Sequence, residues 1–415
     1  MKSSHRITVY EHQALYVGRG EPSLTQKQLE ALQSFHGEGL PYYSLIHNGV
    51  KFCEYVGVLQ IGNTVIEILP KADKATGNSS TEATKWRDLL IGMLRAVGGF
   101  KIESPSHSSL RIRHNSILDL YVALFLTEAE TLLHQGLTKQ YRQTEGNSTS
   151  LKGSLQFGKH LQQNLTHQER FYVRHNIYDK IHSLNQVLHK TLRLLNRINT
   201  NADLHSRIGA LLLNFPEMPD VAVSDAFFER ITYTRKTESY RTAIEIARLL
   251  LLNYHPDVRK GQNYVLALLF NMNLLWEQFV LASLKKHKPE DITLDSQVKR
   301  DFWKPERGNK SQLRPDIVIN ADKMYCLVLD TKWKNRNGYS PQSDDLQQMY
   351  AYLSYYNADR AILIYPGNTN EMQEGTFYDT QGKLSDKTCS LISIPINPDI
   401  SEWQKSIARQ CLFII

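Results

Sequence analysis

Two aspartates and a lysine in the C-terminal third of the chain have the types and spacing to do chemistry. Asp316 follows Pro315, and Asp330 and Lys332 stand as Asp-x-Lys at the end of an apolar run. Two carboxylates and an ammonium on one sheet face can hold a divalent cation beside a phosphodiester and activate water there. Residues 317–319 and 326–329 are β-prone, and the polar residues 320–323 between them are turn-like, which predicts a hairpin. Side chains two apart on a strand share a face, so Asp330 and Lys332 point one way and Thr331 and Trp333 the other. A loop of 321–323 pairs Asp316 with Val328 and sets it diagonal to Asp330, roughly 7–8 Å away between Cα atoms. A two-residue loop would put Asp316 on the other face, so this reading depends on the register. The competing reading is a surface hairpin whose charges are simply solvated. Against it stand the apolar strand core before Asp330, the Pro-Asp one hairpin arm earlier, and an acid that interrupts an apolar helix upstream.

That helix is expected over 263–286, apolar on most faces, with Glu277 as its one acid. The helical neighbours of Glu277 are Asn273, Leu274, Val280 and Leu281. A carboxylate on such a face is costly unless paired or bound to a cation. It is either a salt-bridged acid at the helix edge or the third acid of a metal site. After the hairpin come a loop (335–343) and a second helix (344–355), with Ser343 as N-cap and Asp344 and Asp345 at the positive helix end. Gln348 and Tyr352 are four apart on that helix and share a face. Residues 361–365, AILIY, read as a buried strand ending at Pro366-Gly367. With residues 297–303 as a first strand, the order is α-β-β-β-α-β, the core of the PD-(D/E)xK nuclease fold.

The segments WEQFV (276–280), RPDIVI (314–319), VLDTKWK (328–334) and DLQQMYAYL (345–353) together resemble McrC, the nuclease subunit of the McrBC 5-methylcytosine-specific restriction system. GVLQIGNTVIEILPK (57–71) resembles a segment typical of the longer McrC-like proteins. GLTKQY (136–141) and LKGSL (151–155) resemble their middle region. Residues 179–185, DKIHSLN, depart from the acidic-Asn stretch of that family, which touches the contacts of the middle region only.

The resemblance implies a role for each position. Asp316 and Asp330 would bind Mg²⁺, helped by the backbone carbonyl of Thr331, with Glu277 in the outer part of the metal site. Lys332 would position or deprotonate the attacking water and stabilise charge on the phosphate, and Gln348 would support the site. These residue types suit the chemistry, because Mg²⁺ prefers hard oxygen ligands and keeps several waters, while lysine supplies a point charge. The resemblance also implies DNA as substrate and a partner of the McrB type, an AAA+ GTPase onto which the first 260 residues would dock. The chain carries no nucleotide site of its own: Gly308-Asn309-Lys310-Ser311 lacks the earlier glycine of a phosphate-binding loop. Two other readings stay open. One is a non-enzymatic activator of the AAA+ partner, against which the intact Asp316, Asp330 and Lys332 argue. The other is a stand-alone repair nuclease, against which the long non-nuclease region argues.

The remaining sequence sets the frame. A chain of 415 residues suggests two or three domains. The fold class is α/β, α+β overall: a β-rich region (1–110), a mainly helical region (111–260) and an endonuclease domain (261–415). Residues 142–150 read as a loop, and helices are expected at 116–134, 183–198 and 239–252. With 41% hydrophobic and 22% charged residues this is a soluble globular protein. The net charge of +7 permits nucleic-acid contact. Lys299, Arg300, Lys304, Arg307, Lys310, Arg314, Lys332, Lys334 and Arg336 cluster around the candidate site, as a phosphate-tracking surface would. The four cysteines are far apart and form no CxxC pair, so neither a zinc site nor a disulfide framework is supported. His36, His134 and His182 have no partner at ligand spacing. No apolar signal core or membrane-length run occurs, so a cytoplasmic location is expected.

Overall fold

A computed structural model describes residues 5–36, 42–70, 80–97, 117–255, 265–321, 323, 325–334 and 341–412. Arg336 and most of the loop expected after the hairpin lie outside the described residues, as does the boundary expected near 256–262. Contacts divide the chain into two compact units. One is residues 112–266; the other joins 5–111 to 267–415. The first and third regions of the sequence therefore share a unit.

The reason is a shared sheet. Residues 267–271 of the strand Val265–Asn271 lie beside Tyr55–Ile61, which pairs with Thr64–Leu69, which in turn pairs in parallel with His5–Tyr10. Gly57, at φ 137°, lets the two strands approach: a Cβ there would collide with the carbonyl of Leu268. The sequence reading gave one helix over 263–286. The structure instead has this strand and then a helix, Met272–His287, N-capped by Asn271, whose side chain accepts from Leu274 N at 3.1 Å. An all-round apolar run suits a buried strand as well as a buried helix, and the capping asparagine was the signal that divides them.

The second sheet of this unit carries the candidate site. Its order is Leu294–Ser296, Ile317–Ile319, Leu327–Thr331, Arg360–Gly367, Leu384–Pro395, Glu371–Tyr378. Ile317–Ile319 is antiparallel to both its neighbours, Leu327–Thr331, Arg360–Gly367 and Leu384–Pro395 run parallel to one another, and Glu371–Tyr378 closes the sheet antiparallel. The central strands are apolar at nearly every position because helices cover both faces. Helix Ser343–Tyr355 connects the first two parallel strands and packs Met349, Tyr352 and Leu353 on Val328 and Leu363. It starts at Ser343 itself, and Gln342, without a side-chain cap bond, takes the N-cap position expected for Ser343. On the other face Trp276 of Met272–His287 lies 5.4 Å from Trp403 of Ile400–Leu412 and 5.6 Å from Trp333.

The first strand is Leu294–Ser296, not 297–303. Gln297 adopts φ 52°, which ends that strand, and Arg300–Trp303 pairs with Ser311–Leu313 in a separate two-stranded ribbon. Charges on both faces of 299–304 suit an exposed ribbon better than a sheet interior.

In the other unit, helices Ile117–Gln135, Ser183–Ile198, Ala202–Asn214 and Arg241–Leu252 bury Phe125, Leu188, Leu195, Ile208 and Ile246. Residues 142–150, read as a loop, fall largely in a strand, Gln140–Ser148, paired along its length with Phe171–Asp179. Its polar residues are tolerated because the strand is exposed or half-exposed throughout. Buried Asn185 ties this unit together: it donates to the carbonyls of Thr138 (2.8 Å) and Lys180 (2.7 Å) and accepts from Tyr240 OH (3.0 Å). Among the described residues no helix is long and apolar enough to cross a membrane.

Candidate active site

The hairpin holds the two aspartates closer than the sequence reading placed them. Ile317, Val318 and Ile319 pair with Leu329, Val328 and Leu327, so the register continued by one residue sets Asp316 opposite Asp330 rather than diagonal to it. The connection is 320–326, longer than the three-residue loop expected. Asn320 and Tyr325 take left-handed conformations, φ 54° and 66°, and the Asn320 side chain accepts from Thr293 N at 3.1 Å, which extends the turn. A slip of two residues keeps every side chain on its face, which is why the pairing of Asp316 with Asp330 survives.

Asp316 is fixed by Thr331. Its Oδ2 accepts from both the backbone N–H and the hydroxyl of Thr331, each at 2.7 Å. The residue expected to lend a backbone carbonyl to a metal thus contributes in another way, by orienting a carboxylate.

Asp330 is 3% exposed. Its buried Oδ2 pairs with Lys332 Nζ at 2.8 Å. Burial and the neighbouring Asp316 charge push the Asp330 pKa up to about 7, against the pull of Lys332. Burial alone would lower the Lys332 pKa, but Asp330, Asp345 and Asp316 outweigh it and raise the net value. Lys332 is therefore a firm cation at neutral pH, suited to steadying negative charge rather than to accepting a proton.

Gln348 reaches the site as expected: its Oε1 accepts from Lys332 Nζ at 3.1 Å. Its Nε2 donates to Tyr352 OH at 2.7 Å, and Tyr352 donates to the Arg314 carbonyl at 3.2 Å. This chain fixes the amide oxygen toward Lys332. Asp345 also belongs to the site, which the sequence reading missed. It is 8% exposed, accepts from Lys334 Nζ at 2.7 Å, and lies 3.7 Å from Lys332 Nζ. The signal was present, because Asp345, Gln348 and Tyr352 sit at i, i+3 and i+7 of one helix face. Asp345 had been read only as a partner for the helix dipole.

Glu277 lies near enough to Asp316 to feel its charge. It is half-buried, and its Oε1 accepts from Gln297 Nε2 at 2.8 Å. Burial raises its pKa, the Gln297 bond lowers it, and Asp316 raises it again. Among the described residues no three His, Cys, Asp or Glu gather closely enough to hold a metal. Asp316 and Asp330 remain as a pair of hard oxygen donors. One or two carboxylates plus waters is the donor set Mg²⁺ takes, and Asp330 Oδ2 already draws a cation, the Lys332 ammonium, in this buried place.

Comparison with known proteins places this geometry in context. The family model described as "McrBC 5-methylcytosine restriction system component" matches residues 50–366, which include every candidate site residue. A solved structure of Thermococcus gammatolerans McrB AAA+ hexamers with bound McrC contains a similar chain, with TM-score 0.74, 20% identity, and coverage of 99% of this chain and 100% of that one. A cryo-EM structure of the Thermococcus gammatolerans McrBC complex matches with TM-score 0.50 and 20% identity over 68% of this chain and 87% of that one. At such identity the likeness is one of fold. A search of the curated proteins found no match.

Proposed function

The chain belongs to the McrBC 5-methylcytosine restriction system component family, and from that premise we propose that it is a Mg²⁺-dependent DNA endonuclease subunit working with an AAA+ GTPase of the McrB type. The catalytic domain is of the PD-(D/E)xK kind, built on the sheet that carries Asp316 and Asp330. The observation that supports this most is the opposition of those two carboxylates with Lys332 Nζ 2.8 Å from Asp330. Mg²⁺ held there would lower the pKa of a bound water and neutralise the phosphodiester. Thr331 presents Asp316, Gln348 and Asp345 aim the Lys332 ammonium, and Lys332 steadies charge that develops on the phosphate.

Docking of the AAA+ partner is assigned to the unit formed by 112–266. Tyr141, Leu151, Phe157, Leu161, Leu165 and Tyr178 are all more than half exposed. Phe157 and Leu161 lie four apart on the helix Phe157–Asn164, so they share its outer face. A group of large apolar side chains in water marks an interaction surface. Co-purification with the adjacent AAA+ protein tests this half of the reading. Phe157→Asp combined with Leu161→Asp should release the partner and end stimulation of its GTPase, while a retained complex would remove the assignment.

A further inference from the structure

Residues 300–313 form a ribbon that the chemistry above does not use. Arg300–Trp303 pairs only with Ser311–Leu313, apart from both larger sheets of its unit. The pairing is irregular between Asp301 and Trp303, where an extra residue re-aims the side chains. Phe302 is 49% exposed and Trp303 61% exposed. Phe302 leans edge-on against Tyr355, but Trp303 contacts no other ring among the described residues.

The charges around these rings are unbalanced. Asp301 is neutralised on the ribbon itself by Lys310 at 2.5 Å, and it accepts a hydrogen bond from Gln312 Nε2 at 2.7 Å. Lys299, Lys304 and Arg307 are exposed and enter no ion pair among the described residues, with Glu306 as the one further acid at the turn. The ribbon is also tied to the site. Arg300 donates to the carbonyl of Tyr355 at 2.8 Å, and Tyr356 OH donates to the carbonyls of Val298 and Leu313. Both tyrosines belong to the end of the helix that carries Gln348. The ribbon's second strand ends at Leu313, three residues before Asp316.

Exposed rings among unpaired cations have a specific fit. Cations neutralise phosphates, an aromatic face stacks on any base, and a two-stranded ribbon enters a DNA groove. A protein partner would need acids to match, whereas a polyanion matches already. We propose that this ribbon grips DNA beside the scissile phosphate, with Trp303 stacked on an unstacked base and Lys299, Lys304 and Arg307 on the flanking phosphates. Its placement beside the scissile bond rests on the endonuclease reading; its binding of DNA does not.

The test uses the full chain in EDTA with a duplex carrying 2-aminopurine, titrated over a salt series. Trp303→Ala should weaken binding about tenfold and abolish the change in 2-aminopurine fluorescence on binding, and Trp303→Tyr should restore most of both. Lys304→Glu and Arg307→Glu should each make the salt dependence shallower by about one. Unchanged DNA binding by Trp303→Ala, absence of binding by the wild type at low salt, or loss of the AAA+ partner with DNA binding intact would each overturn the ribbon assignment. DNA binding that depends on Trp303 in a chain that never cuts when Mg²⁺, the AAA+ partner and GTP are supplied would uphold the ribbon and remove the endonuclease reading. Normal cutting with Trp303-independent binding would do the reverse.

Discussion

Replacing Asp330 with asparagine removes a buried charge while keeping the side-chain shape, and the effect on stability follows from the structure. Asp330 is 3% exposed and faces Asp316, and its pKa rises from 3.8 to about 7. The folded chain therefore holds this proton more tightly than the unfolded chain does. The associated stability is whole below about pH 4 and is lost as pH climbs through about 7. Above that, the ionised carboxylate costs the metal-free fold about 4 kcal/mol, at about 1.4 kcal/mol per tenfold change in proton affinity, with the attraction of Lys332 already included. Asparagine escapes this cost but leaves Lys332 with one partner fewer. Asp330→Asn should therefore be more stable than wild type at pH 8 in EDTA by roughly 2–4 kcal/mol. Thermal melting reads this as a rise of about 4–8 °C. The gap should narrow as pH falls and close below about pH 4, where Asp330 is protonated in the folded and the unfolded chain alike. Mg²⁺ should stabilise the wild type and leave the variant unmoved. A variant less stable than wild type at pH 8, or a gap that ignores pH, would refute the reasoning.

Other expected outcomes are simpler to read. Lys332→Ala should reduce cleavage by at least about a hundredfold with unchanged far-UV circular dichroism, because it removes the ammonium beside Asp330. Gln348→Ala should lower kcat by about tenfold and leave KM for DNA unchanged, since the amide aims Lys332 and touches no DNA in this account. Trp276→Ala should destabilise the fold by about 3–5 kcal/mol in chemical denaturation, because that ring is fully buried against Trp333 and Trp403.

The local chemistry of the site was legible because strands have a fixed period of two. Asp330, Thr331 and Lys332 alternate as the sequence requires, and Gln348 falls on the expected helix face. The register was not legible, because the turn depends on left-handed Asn320 and Tyr325, and either residue type gives only a weak signal for that conformation. The strand Val265–Asn271 was hidden for a different reason: a run apolar at every position has no period, so strand and helix look alike until tertiary pairing decides. The joining of residues 5–111 to 267–415 in one unit follows from that strand and was invisible without it. Asp345 and Tyr352 carried the right spacing, but their importance depends on Lys332 Nζ and the Arg314 carbonyl arriving at the same place from the neighbouring strands.

The most direct test of the endonuclease assignment is DNA cleavage in Mg²⁺ by the wild type and Asp330→Ala, each alone and with the adjacent AAA+ protein and GTP. An endonuclease subunit of a McrBC-type complex predicts cutting by the wild type that needs the partner and disappears with Asp330. Stimulation of the partner's GTPase without any cutting would contradict it and make the Asp316, Asp330 and Lys332 cluster a structural remnant in an activating subunit.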